Sequence, residues 1–417
     1  MASSKFPNVY KIVIAIPFIM RIIEESIYHD PIFLGKGFTF WGFFIFLFGT
    51  LIYNYGNLIV SFRNRLIYSF AIFLGASCLI EFFHTNSVYR EVSTTFFMFA
   101  AVPLYASWIL KNKESFKYII ISFLAYAFVN ALNIIINVSI FKMLAAGSSD
   151  LARENVTKGL WFYTNLNGIA YIASISTVIC FTVARNIENI SQKRLLYILS
   201  LMFLYVTALS LSRSAYINLA FICTVMYIKY RPKVKFQYII PLVIVVLFIN
   251  IGPVQKLTNL FFGRFEEINI NQKENVDSRV TVYRRVYKYL PDIYLNGVGE
   301  GNYYGKWGEK SDFARLSYDD EGNLAEIKVT PTHNSFTQIL FYWGILPLVL
   351  YIFLLVRLTK MLPPKYDTSL MAKITTMVYF STISLIIFSN NFNYKDFTFA
   401  YGLLLGLYLR RRYKLSN

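Results

Sequence analysis

The feature that most constrains this chain is the recurrence, from one end to the other, of apolar runs roughly 16 to 25 residues long. Runs of that length cannot be hidden together inside a water-soluble core of this size. In lipid every backbone N–H and C=O must find its partner within the structure, which leaves helices or a closed barrel. The runs show no period-2 alternation, so helices are expected. Composition agrees: 56% of the residues are hydrophobic and only 15% charged, too little polar surface for a soluble domain. The first run, from about Tyr10 to Ile23, lacks a small-residue cleavage pattern and reads as a retained span.

Twelve spans are expected, at about 8–23, 38–60, 66–83, 95–110, 117–140, 165–184, 194–211, 214–228, 236–252, 334–356, 371–389 and 396–409. The fold class is therefore an all-α polytopic membrane protein with about 12 transmembrane helices. Residues 1–253 hold spans one to nine, residues 254–332 form one large external loop, and residues 333–417 hold spans ten to twelve.

Charge sets the orientation. The net charge of +18 is distributed by connection: every second one is basic, from Lys5 and Lys11 to Arg410, Arg411, Arg412 and Lys414. Those connections carry 22 cations against only Glu114, Glu188 and Asp367, whereas the short connections on the other side carry eight of each sign. The positive-inside rule then places both termini in the cytoplasm and the 254–332 loop outside. The basic balance reports topology, and no nucleic-acid partner is expected. Cys78, Cys180 and Cys223 all fall within spans, where they read as small apolar fillers. No metal-ligand spacing is present, and the weak cluster of Glu24, Glu25, His29 and Asp30 matches no known pattern.

Four places on the external side could carry chemistry. Arg213 sits in the turn Leu211-Ser212-Arg213-Ser214 between two spans, at or just under the interface. It reads either as a functional cation or as a side chain snorkelling to lipid phosphate. Between Asp277 and Asp292 lie four cations, Arg279, Arg284, Arg285 and Lys288, and no acid. Asp277 or Ser278 can cap a helix there, and Val282, Tyr283, Val286, Tyr289 and Leu290 give it an apolar stripe up to Pro291. Such a helix reads as lying on the membrane surface, its start suited to phosphate oxygens or simply attracted to anionic lipid. The run Asn296-Gly297-Val298-Gly299 predicts a tight turn that lets backbone approach a ligand, without being a dinucleotide fingerprint. His333, in Thr332-His333-Asn334-Ser335, stands at the mouth of a span, placed to act as a general base or as a structural histidine.

In their order these features resemble the O-antigen ligase/polymerase superfamily of bacterial polysaccharide assembly. The likeness is carried by Ser212-Arg213, Arg279 with Tyr283, Gly297-Val298-Gly299, His333-Asn334 and Trp343-Gly344-Ile345. Upstream, Thr164-Asn165-Leu166-Asn167 is similar to the family's Asn-Pro-Asn start of a middle span, with Leu166 where proline is usual. The detailed likeness covers about residues 161 to 356.

The resemblance implies transfer of a glycan from a polyprenyl diphosphate to an acceptor hydroxyl in the bacterial inner membrane, with no cofactor and no metal. It implies Arg213, Arg279 and His333 as catalytic residues. Arg284, Arg285, Asn334, Gly297, Gly299, Tyr303, Asn165 and Asn167 would bind substrate, and Tyr303, Tyr304 and Trp307 could stack on sugars or simply pack. The implied partners are an undecaprenyl-diphosphate-linked glycan, an acceptor glycan or lipid A core, membrane lipids and a chain-length regulator. Polymerase and ligase share this machinery, and polymerase is the expectation because polymerases are the more numerous group. A lipid-linked-oligosaccharide flippase is the alternative from another class; it is disfavoured by the single asymmetric loop. A dolichol-type transferase using Glu24, Glu25 or Asp30 is a third.

Overall fold

The computed structural model describes residues 7–27, 37–85, 90–137, 166–210, 212–230, 279–318, 324–329, 332, 334–388 and 398–414. Helices lie at eleven of the twelve expected positions; the ninth, 236–252, lies outside the described residues. Six of these helices are long and apolar enough to cross a membrane: Phe38–Phe62, Arg65–Thr85, Lys113–Asn137, Asn167–Asn186, Ile190–Leu209 and Leu370–Phe388. The chain divides into two compact units, each assembled from separated stretches of sequence.

The first unit comprises residues 1–49, 113–269 and 363–381. Its described elements are α1 (Asn8–Ile27), the start of α2 (Phe38–Phe62), α5 (Lys113–Asn137), α6 (Leu166–Asn186), α7 (Ile190–Leu209), α8 (Arg213–Tyr230) and most of α14 (Leu370–Phe388). α1 runs along α5, with Phe18 edge-on to Phe123 at 6.4 Å. Glu24 spends a carboxylate oxygen on the backbone N–H of Thr39, capping the start of α2. His29 and Asp30, and the side chain of Glu25, lie outside the described residues. α6, α7 and α8 pack together, and the buried Asn218 of α8 donates to Ser174 on α6 (2.7 Å) and Ser381 on α14 (3.1 Å). With no hydrophobic drive between helices in lipid, such interhelical bonds contribute about 0.6 kcal/mol each and set register.

The second unit comprises residues 50–112, 270–362 and 382–417. Here α4 (Arg90–Lys111) packs along α15 (Thr398–Lys414). The approach is close because a Cβ at Gly402 or Gly406 would stand 2.5 Å from Tyr105 Cβ or 2.8 Å from Ile109 Cβ. α3 (Arg65–Thr85) packs on α13 (Ile345–Lys360). Phe70 stacks on Phe99 at 4.0 Å, and Phe73 meets Trp343 and Tyr351.

Three sequence expectations are corrected. The single span at 334–356 is two helices, α12 (Ser335–Trp343) and α13, broken at Gly344. Gly344 takes φ +79°, a left-handed value, and Ile345 N donates to Tyr294 O instead of continuing the ladder. The helix beginning at Arg279, α9 (Arg279–Ile293), does not stop before Pro291 but carries it in its last turn. The described part of its apolar stripe packs on protein: Val286 is buried and Tyr289 meets Trp307 and Phe313, while the side chains of Val282 and Tyr283 lie outside the described residues. Finally, the 254–332 segment contains an antiparallel hairpin, β1 (Ala314–Tyr318) with β2 (Leu324–Val329), in register Ala314↔Val329 and Leu316↔Ile327 with a bulge at Ser317/Tyr318.

Candidate functional site

In the first unit two motif regions meet. α6 begins at Leu166 and α8 at Arg213, and Ser212 Oγ donates to Asn167 Oδ1 across 3.1 Å, joining the two helix starts. The turn is built by serines: Ser212 Oγ and Ser214 Oγ lie 3.2 Å apart, and Ser210 Oγ accepts from Ser212 N. Tyr216 OH closes it onto Ala208 O at 2.8 Å, while Ser212 O takes the first bonds of α8 from Ala215 N and Tyr216 N. Ser210 and Ser212 are buried, Arg213 is half-buried and Asn167 is exposed. A helix start carries N–H groups and the positive end of a dipole, and at the start of α8 Arg213 adds a full charge to them. That combination suits phosphate oxygens. Asn165 lies outside the described residues.

In the second unit, Arg279 is the first residue of α9, although its side chain and that of Tyr283 are outside the described set, as are His333, Asp277 and Ser278. Arg284 is exposed and Arg285 half-buried. Arg285 Nη1 is buried with no hydrogen-bond partner among the described residues. Lys288 is paired with Asp312, and this bond raises the lysine's pKa and lowers the aspartate's.

Tyr303 does not offer a ring to sugar. It lies at 0% exposure, on α10 (Glu300–Tyr303), enclosed by Trp307 of α11 (Lys306–Glu309), Phe313, Phe341 and Tyr342. Burial, partly opposed by the nearby Arg285 charge, pushes its phenol well above the usual value. Trp307 is half-buried in the same cluster, whereas Tyr304 is 44% exposed. The cluster is the loop's own small core, each aromatic pair contributing about 0.5–1.5 kcal/mol beyond area burial.

The glycine turn also serves the fold. Gly297 and Gly299 take φ +65° and +79°, and their close backbone approach is to the end of α12. Val298 N donates to Phe341 O and Gly299 N to Tyr342 O, both at 2.8 Å, and a Cβ on Gly297 would sit 2.5 Å from Tyr342 O. Asn334 likewise spends its side chain on structure. Its Oδ1 caps α12 through Phe336 N and Thr337 N, and its Nδ2 donates to Ile387 O at 2.9 Å. Thr332 is fixed by Gln338 Oε1, through its backbone N–H (3.0 Å) and its hydroxyl (2.8 Å). Both neighbours of position 333 are therefore held in place.

One residue that sequence reasoning passed over organises this region. Glu81, on α3 and 0% exposed, accepts from Glu300 N (2.7 Å), Gly301 N (3.1 Å), Trp343 Nε1 (3.0 Å) and Thr85 Oγ1 (3.3 Å). Each hydrogen bond to such a charge is worth about 1.5–3 kcal/mol, which offsets the cost of burying it. The signal was visible as an acid in the run Cys78-Leu79-Ile80-Glu81, inside a predicted span, where an ionisable group needs a reason.

Helices of this length and apolarity define a multi-pass membrane protein, with its candidate chemistry gathered at helix starts and in a folded segment between spans. The family model described as O-antigen ligase matches residues 198–352, a stretch that contains Arg213, Arg279, the glycine turn and His333. Over that stretch the chain is similar to the O-antigen ligase family. No curated protein matches the chain.

Proposed function

We propose that this chain is a polysaccharide polymerase that joins polyprenyl-diphosphate-linked repeat units at the external face of the bacterial inner membrane. The observation that carries the reading is the bond between Asn167 and Ser212, beside Arg213, the latter two within the stretch that matches the family model. When the anomeric C–O bond breaks, negative charge develops on the departing lipid diphosphate. Fixed guanidiniums neutralise such charge without a divalent cation, and bidentate geometry suits phosphate oxygens. Arg213 and Arg279 are assigned that role, with Arg284 and Arg285 as additional contacts. His333 takes the acceptor hydroxyl's proton as that oxygen attacks the face opposite the diphosphate, so the anomeric configuration inverts. Both termini are cytoplasmic and residues 254–332 external in this reading, in keeping with the charge distribution. A chain-length regulator is the expected protein partner.

The ligase reading, transfer of a finished glycan to lipid A core, has one specific support: the description carried by the matching family model. Surface polysaccharide from a null strain separates the two. A core bearing a single repeat indicates a missing polymerase; bare core, with long chains retained on the carrier lipid, indicates a missing ligase. Complementation with Arg213→Ala, Arg279→Ala and His333→Ala tests the residues. Wild-type ladders from all three correctly inserted variants would overturn the assignment.

A further inference from the structure

The buried carboxylate of Glu81 has no part in the reaction proposed above, yet it joins three pieces of the second unit. Its Oε2 accepts from Glu300 N and Trp343 Nε1, and its Oε1 from Gly301 N and Thr85 Oγ1. Glu300 and Gly301 follow directly on the glycine turn that ends α9, the helix Arg279 begins. Trp343 is the last residue of α12, the helix that starts two residues after His333. One turn further along α3, His84 Nε2 lies 3.0 Å from Asn296 O; a carbonyl only accepts, so this nitrogen carries the proton. His84 O takes a bond from Asn302 Nδ2, and a Cβ on Gly299 would stand 2.8 Å from His84 Cβ. The turn therefore lies directly on α3, held from one side by Glu81 and His84 and from the other by the carbonyls of Phe341 and Tyr342.

From this geometry we infer that Glu81 is a positioning residue: it holds the helix that carries Arg279 in register with the helix that His333 precedes. The catalytic part of the inference rests on the proposed transfer reaction; the clamp itself does not. Among the described residues no cation pairs with Glu81, so its charge is met by N–H and O–H donors alone. A carboxylate is the right group because both oxygens must accept, Oε2 from Glu300 N and Trp343 Nε1 and Oε1 from Gly301 N. The Thr85 hydroxyl is shared between Oε1 (3.3 Å) and the Glu81 carbonyl (2.8 Å). Glutamine would turn an NH₂ towards two N–H or O–H groups and break the clamp on one side. Aspartate keeps the charge and both acceptors on a shorter reach.

The test uses the full chain in nanodiscs. Amide exchange at Glu300 and Gly301 reads the clamp, and protection in α4 and α15 reports that the rest of the unit is folded. Glu81→Gln is expected to speed exchange at the two amides on the order of 10- to 100-fold, with α4 and α15 unchanged. Its kcat for glycan transfer is expected to fall on the order of 100-fold with KM for the lipid-linked donor nearly unchanged, as a misplacement of about 1 Å would produce. Glu81→Asp recovers part of both losses. Wild-type exchange in Glu81→Gln overturns the clamp; fast exchange with wild-type kcat overturns the positioning role. If Glu81→Gln loses protection in α4 and α15, Trp343→Phe takes its place, since it removes one donor and keeps an aromatic ring at the site, with the protection of α4 and α15 again reporting whether the smaller ring disturbs the unit. Trp343→Phe is expected to move both readouts in the same direction by less, and wild-type values for both would overturn the inference. An Arg213→Ala variant run alongside isolates the other failure, because full activity there sinks the proposed reaction while leaving the clamp standing.

Discussion

The turn at Ser212 and the turn at Gly297 both stood out in the sequence as short motifs on the same expected side of a membrane, and they are built in opposite ways. At Ser212 the residues that make the turn are the neighbours of the motif arginine: Ser210, Ser214 and Tyr216 close it, and Asn167 joins it to a second helix start. At Gly297 the motif residues are themselves the structure. Gly297 and Gly299 lie against Tyr342 and His84, and Tyr303 and Asn334 are consumed by an aromatic core and a helix cap. The first arrangement places a charged residue in a turn closed by hydroxyl and amide side chains. The second holds a loop to its own unit.

If the comparison holds, Arg213→Ala has the largest effect: on the order of 10²- to 10³-fold slower transfer, the usual cost of losing one donor to developing charge, at unchanged protein abundance. Arg213→Lys would recover only part of it, because an ammonium lacks the planar fork. Gly297→Ala should instead act on folding. Forcing a Cβ into a left-handed backbone position 2.5 Å from Tyr342 O costs about 1–3 kcal/mol, read as lower abundance and a lower thermal midpoint. Asn334→Ala removes a cap worth about 1 kcal/mol and should lower stability with little change in kcat. Loss of transfer at full stability would move Asn334 into the same class as Arg213.

The smallest effect belongs to the exposed Lys288–Asp312 pair: breaking it by Asp312→Asn should leave the thermal midpoint at neutral pH unmoved. The lysine's raised pKa makes its contribution present below its unfolded pKa and lost as pH rises through the folded one. The aspartate's lowered pKa makes its contribution present above its unfolded pKa and lost as pH falls through the folded one. Any difference between wild type and Asp312→Asn therefore lies between those limits and disappears in acid.

Helix positions were legible because length and apolarity are local properties; α3, α5 and α14 stand close to where their apolar runs predict them. The break at Gly344 was not, since Trp343-Gly344-Ile345 lies inside an unbroken apolar run and its cause is Leu295 and the Tyr294 carbonyl, about fifty residues away. The apolar stripe of α9 was correctly seen as a stripe, but periodicity does not say whether lipid or Trp307 covers it. Ser212 and Asn167 were both singled out, and their bond depends on α6 and α8 packing side by side, a tertiary fact. Glu81 was counted only as a charge balancing cations on its side. Its burial inside a span was the stronger signal.

The central claim is that the chain moves a glycan from a lipid diphosphate using fixed arginine charge. The most direct measurement is turnover of a polyprenyl-diphosphate-linked oligosaccharide by the purified chain in nanodiscs, with EDTA present, following both release of lipid diphosphate and growth of the glycan. The account predicts that the two rise together in wild type, with inverted anomeric configuration in the product, and fall on the order of 10²- to 10³-fold in Arg213→Ala. Equal turnover by Arg213→Ala, or wild-type turnover abolished by EDTA and restored by a divalent cation, would contradict it.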